Sequence, residues 1–251
     1  MKIVYLYLFL FPISLLSQSF YRLENNDNLK KYRSVENKKY FNNKKSAFSS
    51  RYILEDGKIK EVETFNKSSL VYKSEYNYDL KKNVVSEIIK FNINKGQIND
   101  TIKYSYVYNS SNQLIEKKCL SREYYSNFNS QNLPQTIEFP KTKMDSLTSY
   151  KVELLYNSFG AVLEQKVFSK YEGKSNIEIN NYVYDVFKNV IEVKRKSIPE
   201  ETYPIIIAGG RSKYKEEKYR YVYNKDNLWI KKYWIIENKE YLIEKRKFKK
   251  E

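Results

Sequence analysis

One cysteine and no histidine occur in 251 residues. A lone cysteine excludes an intrachain disulfide, so stability has to come from a core or from continuous strand pairing. The missing histidine removes the usual neutral-pH general base and the commonest metal ligand. Zinc-ligand spacings, glycine-rich phosphate loops and serine-nucleophile elbows are absent as well. On the sequence, no residue is assigned a catalytic, cofactor-binding or metal-ligating role. Glycine is scarce, at six, and Gly57, Gly96, Gly160, Gly173, Gly209 and Gly210 all fall where turns or loops are expected. Acidic residues are outnumbered 30 to 46 by lysine and arginine, a net charge of +16.

Long apolar runs are missing too, with one exception at the start. Lys2 precedes an apolar stretch from Ile3 to Leu16, and Ser17-Gln18-Ser19 follows as a small-residue cleavage site. This is the pattern of a signal peptide over residues 1–19, and the stretch is too short to remain as a membrane-spanning helix. The expectation is a soluble chain without a transmembrane anchor, exported to the periplasm or beyond. Residues 20–50 are rich in Asn, Lys and Ser with isolated aromatics. They form an irregular N-terminal segment that holds one or two strands or a partly ordered arm.

What is present is a phrase repeated five times: YDLKKNVV from Tyr78, YNSSNQLI from Tyr108, YNSFGAVL from Tyr156, YDVFKNVI from Tyr184 and YNKDNLWI from Tyr223. Asp or Asn after the tyrosine initiates a turn by accepting hydrogen bonds from nearby backbone N–H groups. Four residues after the tyrosine stand Lys82, Asn112, Gly160, Lys188 and Asn227, where such a loop calls for a left-handed residue. Lysine is a poor choice there, which leaves a different geometry open for two of the turns. Two β-formers follow each turn, and tyrosines recur two apart before it, on one face of a strand. Glu55-Asp56-Gly57-Lys58 and the regions of Asn94–Gln97, Glu172–Lys174 and Glu237–Lys239 supply the returning turns. The pattern predicts an all-β antiparallel meander of repeated hairpins over residues 51–251. An elongated sheet, a curled single sheet, an open barrel and a sandwich all remain open. Prolines and clustered polar residues at 121–149 and 197–215 predict two inserts, read as loops or edge excursions.

Charge and tyrosine together point to a noncatalytic surface or periplasmic module, structural or binding. Its candidate partners are anionic polysaccharide, lipopolysaccharide, extracellular DNA or a surface protein. Basic residues are densest at Lys38–Lys45, Lys194–Lys196 and Lys245–Lys250. Alternating tyrosines are read first as cross-strand packing and second as a glycan-binding face. The competing class is a carbohydrate-active enzyme using paired carboxylates. Against it, Glu116, Glu164 and Glu192 recur at the same position of successive copies, as cross-strand ion pairs would. Cys119 stands where sister copies carry aliphatic residues and reads as a small buried hydrophobe.

The phrase resembles a divergent YD repeat of RHS-type exported bacterial proteins, from about Tyr76 to Ile236. Tyr78-Asp79 with Asn83-Val84, and Tyr184-Asp185 with Asn189-Val190, carry the resemblance, and Gly160 alone keeps that repeat's glycine. The resemblance implies a tyrosine-lined antiparallel sheet on an exported protein, without a catalytic residue.

Overall fold

The structure, a computed structural model, describes residues 27–250 except 42, 81–83, 94–95, 120–121, 141–148, 172–173 and 207–210. The expected signal peptide, Lys82, Gly173 and Gly209-Gly210 lie outside the described residues. After a short 3-10 turn (Asp27–Lys31) come β1 (Ser34–Phe41), β2 (Lys44–Glu55), β3 (Lys58–Asn66), β4 (Ser69–Tyr78) and β5 (Val84–Ile93). Next are β6 (Gly96–Lys103), β7 (Ser105–Tyr108), β8 (Leu114–Lys118), β9 (Arg122–Phe128), β10 (Pro134–Phe139) and β11 (Ser149–Tyr156). The last six are β12 (Val162–Tyr171), β13 (Lys174–Tyr184), β14 (Val190–Ile198), β15 (Glu216–Tyr223), β16 (Trp229–Ile236) and β17 (Lys239–Lys249).

All the ladders are antiparallel and join strands adjacent in sequence, with one addition: β1 pairs with β2 on one side and with β17 on the other. First and last strands therefore meet. β6 and β7 form one extended segment around Tyr104, whose N–H donates to the Val85 carbonyl (2.9 Å) as the chain exchanges β5 for β8 as its partner. The result is a single up-and-down sheet nearly closed into a barrel, one of the architectures the repeat left open. The segment 20–50 contributes all of β1 and the first half of β2. Within 121–149, read from its prolines as loop, the chain makes the hairpin β9–β10. Proline fits there because Pro134 is the first residue of its strand.

The turns explain the closure. Asn109, Asn157, Asp185 and Asn224 each donate their N–H to the carbonyl four residues on, at 2.8–3.0 Å. Their side-chain Oδ1 accepts the N–H of that same residue at 2.8–3.0 Å. Asn129 does both in a turn the repeat count missed, because phenylalanine (Phe128) replaces the tyrosine there. The left-handed residue is where the spacing puts it, at Asn112 (φ 60°), Asn132 (59°), Gly160 (76°), Lys188 (66°) and Asn227 (58°). Lys188 thus keeps the common geometry in spite of its poor fit.

After each turn the first β-former faces the tyrosine across the ladder, as in Tyr156↔Val162 and Tyr184↔Val190. The second is a bulge: the register skips Val85, Ile115, Leu163, Ile191 and Ile230. A bulge bends its strand and increases local twist. Repeated along one rim, it curls the sheet toward closure.

Buried residues form three separate clusters. Leu29, Tyr32, Val35, Tyr52, Leu54, Ile59 and Leu228 stopper one end, with the 3-10 turn as their lid. Val193, Tyr219, Trp234 and Ile243 make the second cluster, and Ile137, Val152 and Leu154 the third. Among the described residues only Leu29, Val35 and Val152 are large and fully buried.

Candidate functional site

Register assigns the two faces of the wall. Tyr76, Tyr182, Tyr219 and Tyr221 share the face of the buried residues, which is the inner one. Their phenols join the wall together. Tyr156 donates to the Pro134 carbonyl (2.7 Å), Tyr184 to Val162 (2.5 Å), Tyr106 to Val84 (2.5 Å) and Tyr221 to Val190 (3.0 Å). Each acceptor is the first residue after the preceding turn, so a tyrosine of one hairpin ties down the strand start of the last. Burial pushes the phenols of Tyr156, Tyr182 and Tyr221 above their ordinary value, to about 12 for Tyr156 and Tyr182. The structural reading of the tyrosines therefore accounts for them better than an open glycan-binding ladder.

The inner face also holds charge. Glu217 is buried and receives Arg195 (2.9 Å), the Tyr214 N–H (3.2 Å) and the Tyr219 hydroxyl. Arg211 stands 3.8 Å from the same carboxylate and stacks on Trp234, 4.4 Å from the ring centre. Arg211 and Lys213 belong to the 197–215 insert, and Lys213 reaches Glu178 (3.3 Å) on β13. Arg211 and Lys213 thus pin the described part of this insert to carboxylates of the inner face. Further along, Lys232 faces Glu244 across the β16–β17 ladder. Burial presses the Lys232 ammonium below its usual range and brings the Arg246 guanidinium down to about 10. Burial also pushes the Glu244 carboxyl up, but Lys232 and Arg246 outweigh it and hold it low.

On the outer face many charges pair off. Arg51 meets Glu63 (3.1 Å), Lys73 meets Glu61 (2.5 Å), Lys90 meets Glu75 (2.8 Å) and Arg220 meets Glu240 (2.6 Å). Glu116 pairs across strands with Arg122 (3.6 Å). Glu164 and Glu192 instead pair along their own strands, with Lys166 (3.2 Å) and Lys194 (3.1 Å). Lysine two residues on shares the face of its glutamate, so the neutralising partner is local. Cys119 is half-buried in a bend after β8 and not in a strand as expected.

The seam β16–β17–β1 breaks this rule. Lys245 is paired in register with Lys38 on one side and Lys231 on the other. Three lysines stand abreast over two strand spacings, roughly 10 Å. Among the described residues none of the three, nor Lys247, has a carboxylate within ion-pair reach; nearby Glu36 is taken by Lys249 (2.6 Å). The pairing of β1 with β17 thus joins two of the three basic runs seen in the sequence. The third run stays apart on β14, its Lys194 bound to Glu192 and Glu216. Lys231 belonged to no run; the signal for it was its outward position in the alternation of β16.

No family model matches the chain, and no curated protein matches it in sequence. The RHS-type resemblance therefore has no family match behind it. Among solved structures, a porin-like protein from Bacteroides uniformis is similar over 88% of this chain and 97% of its own, at 8% identity and TM-score 0.39. Two structures of TcdB2-TccC3 are similar at 13% identity, one with Cdc42 and one without the hypervariable C-terminal region. Their TM-scores are 0.33 and 0.32, over 78% and 79% of this chain and 11% of theirs. Likeness at this level is distant and assigns neither a family nor an activity.

Proposed function

We propose that this protein is an exported, noncatalytic β-barrel module that binds acidic polymers along the β16–β17–β1 seam. One observation carries the reading: Lys38, Lys245 and Lys231 stand side by side with no carboxylate within ion-pair reach, whereas Lys73 and Lys90, also opposite each other in register, are each paired with a carboxylate. Like charges directly opposite each other cost stability, and a bound polyanion relieves that cost while releasing its counterions. Successive acidic units of a polysaccharide or of lipopolysaccharide offer anions at a comparable spacing. The outward ladders of glutamate and lysine suit a wall surrounded by water, since a barrel wall in lipid carries an apolar band. The enzyme reading has less to support it, because Glu217 and Glu244 are each engaged by cationic neighbours.

The test is retention of the protein on heparin, lipopolysaccharide and DNA resins across a salt gradient. Retention well above physiological salt on at least one resin is the expected result. Release from all three at low salt would leave a structural or protein-binding role.

A further inference from the structure

The seam does not close along its whole length. The β16–β17 ladder starts at Lys231↔Lys245, so Trp229 and Ile230 have no partner on β17, and Arg246–Lys249 pair only with β1. A cleft of about 430 Å³ opens at this gap, lined by Ile230, Lys231, Lys245, Arg246, Lys247 and Phe248. Tyr32, Asn224 and Lys250 complete it, and no acidic residue lines it. Its volume lies toward the lower end of the range for small-molecule sites, roughly 300–1,000 Å³.

Arg246 gives the cleft its chemistry. It belongs to the inner face, yet the gap exposes it to the cleft. Its guanidinium carbon lies 3.5 Å from the Trp229 ring centre, and its Nε is shielded from solvent with no hydrogen-bond partner. Asn37, its register partner on β1, is 5% exposed and leaves its Oδ1 unpartnered as well, while its amide donates to Glu244 (3.3 Å). Buried polar groups are ordinarily satisfied, so two neighbouring exceptions call for an explanation. Phe248 and Tyr32, with ring centres 5.1 Å apart, give the cleft an aromatic wall. An arginine that lines a cleft beside aromatic rings suits an anionic group carried on a compact ring.

We propose that this cleft holds a single sugar-sized unit bearing one anionic group, with the anion on Arg246 and the ring against Phe248 and Tyr32. The inference rests on the polyanion reading and deepens it: the outer lysines gather the polymer and the cleft reads one unit of it. An acidic peptide is a poorer fit, because four extended residues reach about 13 Å, more than a compact cleft encloses.

The experiment is titration of the full protein at physiological salt, followed by NMR and calorimetry, with four probes. These are glucuronic acid, glucose 6-phosphate, neutral glucose and a tetraglutamate peptide. At least one acidic sugar is expected to saturate a single site, glucose to show no binding, and Arg246→Gln to weaken the acidic sugar at least tenfold. Ile230→Phe, which fills the cleft without removing a charge, is expected to do the same and serves if Arg246→Gln does not fold. Retention on the polyanion resins with no saturable sugar binding would overturn the cleft and leave the polymer reading standing. Sugar binding without resin retention would overturn the polymer reading, and with it the role given to the cleft. Peptide binding that exceeds that of both sugars would overturn the choice of ligand.

Discussion

The wall built by β2–β5 and the seam built by β16, β17 and β1 are made of the same kind of strand, yet they treat charge in opposite ways. In the wall, Glu61, Glu63 and Glu75 alternate with Arg51, Lys73 and Lys90, and each cation has a carboxylate within 3.1 Å. In the seam, Lys38, Lys245 and Lys231 meet side by side. The difference teaches that like charges set in register are neutralised by flanking carboxylates in the wall, where Lys73 faces Lys90, and are left without them in the seam.

The comparison can be broken at several points. The largest expected effect is alkaline unfolding of the whole barrel. Tyr182, Tyr219 and Tyr221 are held neutral chiefly by burial, with folded values above the unfolded phenol. Between the two values the unfolded chain has lost protons that the fold retains, so the stability they contribute is full below pH ~10 and falls as pH rises above it. Lys232 and Arg246, pressed downward, act in the opposite sense but are fewer. Phenolate absorbance and circular dichroism should therefore change together; phenolate appearing well before unfolding would show that the tyrosines are not the wall's ties.

Next in size is the tie itself. Tyr184→Phe leaves the Val162 carbonyl without its donor and should cost about 1–3 kcal/mol in urea unfolding. Tyr233→Phe, on the outer face beside Arg220, should stay within about 0.5 kcal/mol of the parent. Charge reversal should then give opposite signs in the two regions. Lys73→Glu breaks pairs with Glu61 and Glu75 and should destabilise by about 0.5–1 kcal/mol. Lys245→Glu meets two lysines and should stabilise by roughly 0.2–1 kcal/mol. Equal signs in thermal melts would erase the distinction. Smallest is Lys188→Gly, which relieves a left-handed φ of 66°; lost contacts and chain entropy offset part of the relief, leaving a gain of roughly 0.5 kcal/mol.

Much of the wall was legible because its signals are local. Tyr-Asn/Asp, a left-handed residue and two β-formers define a hairpin within eight residues, and the structure adds only that the second β-former is a bulge. The hairpin at Asn129 escaped because one ring lost its hydroxyl and a proline opened the next strand. The seam was not legible, since it depends on β1 finding β17 about 200 residues away. Only that pairing sets Lys38 against Lys245, which already faces Lys231 through the local β16–β17 hairpin. The closed end was equally hidden: Leu29 and Leu228 lie in turns that looked merely polar, and they meet only once the ring is formed.

Where the charge lies, and not how much of it there is, should decide binding. Two variants with the same net charge separate placement from amount: Lys38→Gln, Lys231→Gln and Lys245→Gln together in the seam, and Arg51→Gln, Lys73→Gln and Lys90→Gln together in the wall. Their elution from heparin is compared across a salt gradient with that of the parent protein. The seam variant should elute at clearly lower salt, with a salt dependence shallower by up to about three ion contacts, and the wall variant should elute close to the parent. Equal shifts for both would mean that binding follows total charge, and the seam would have no special role.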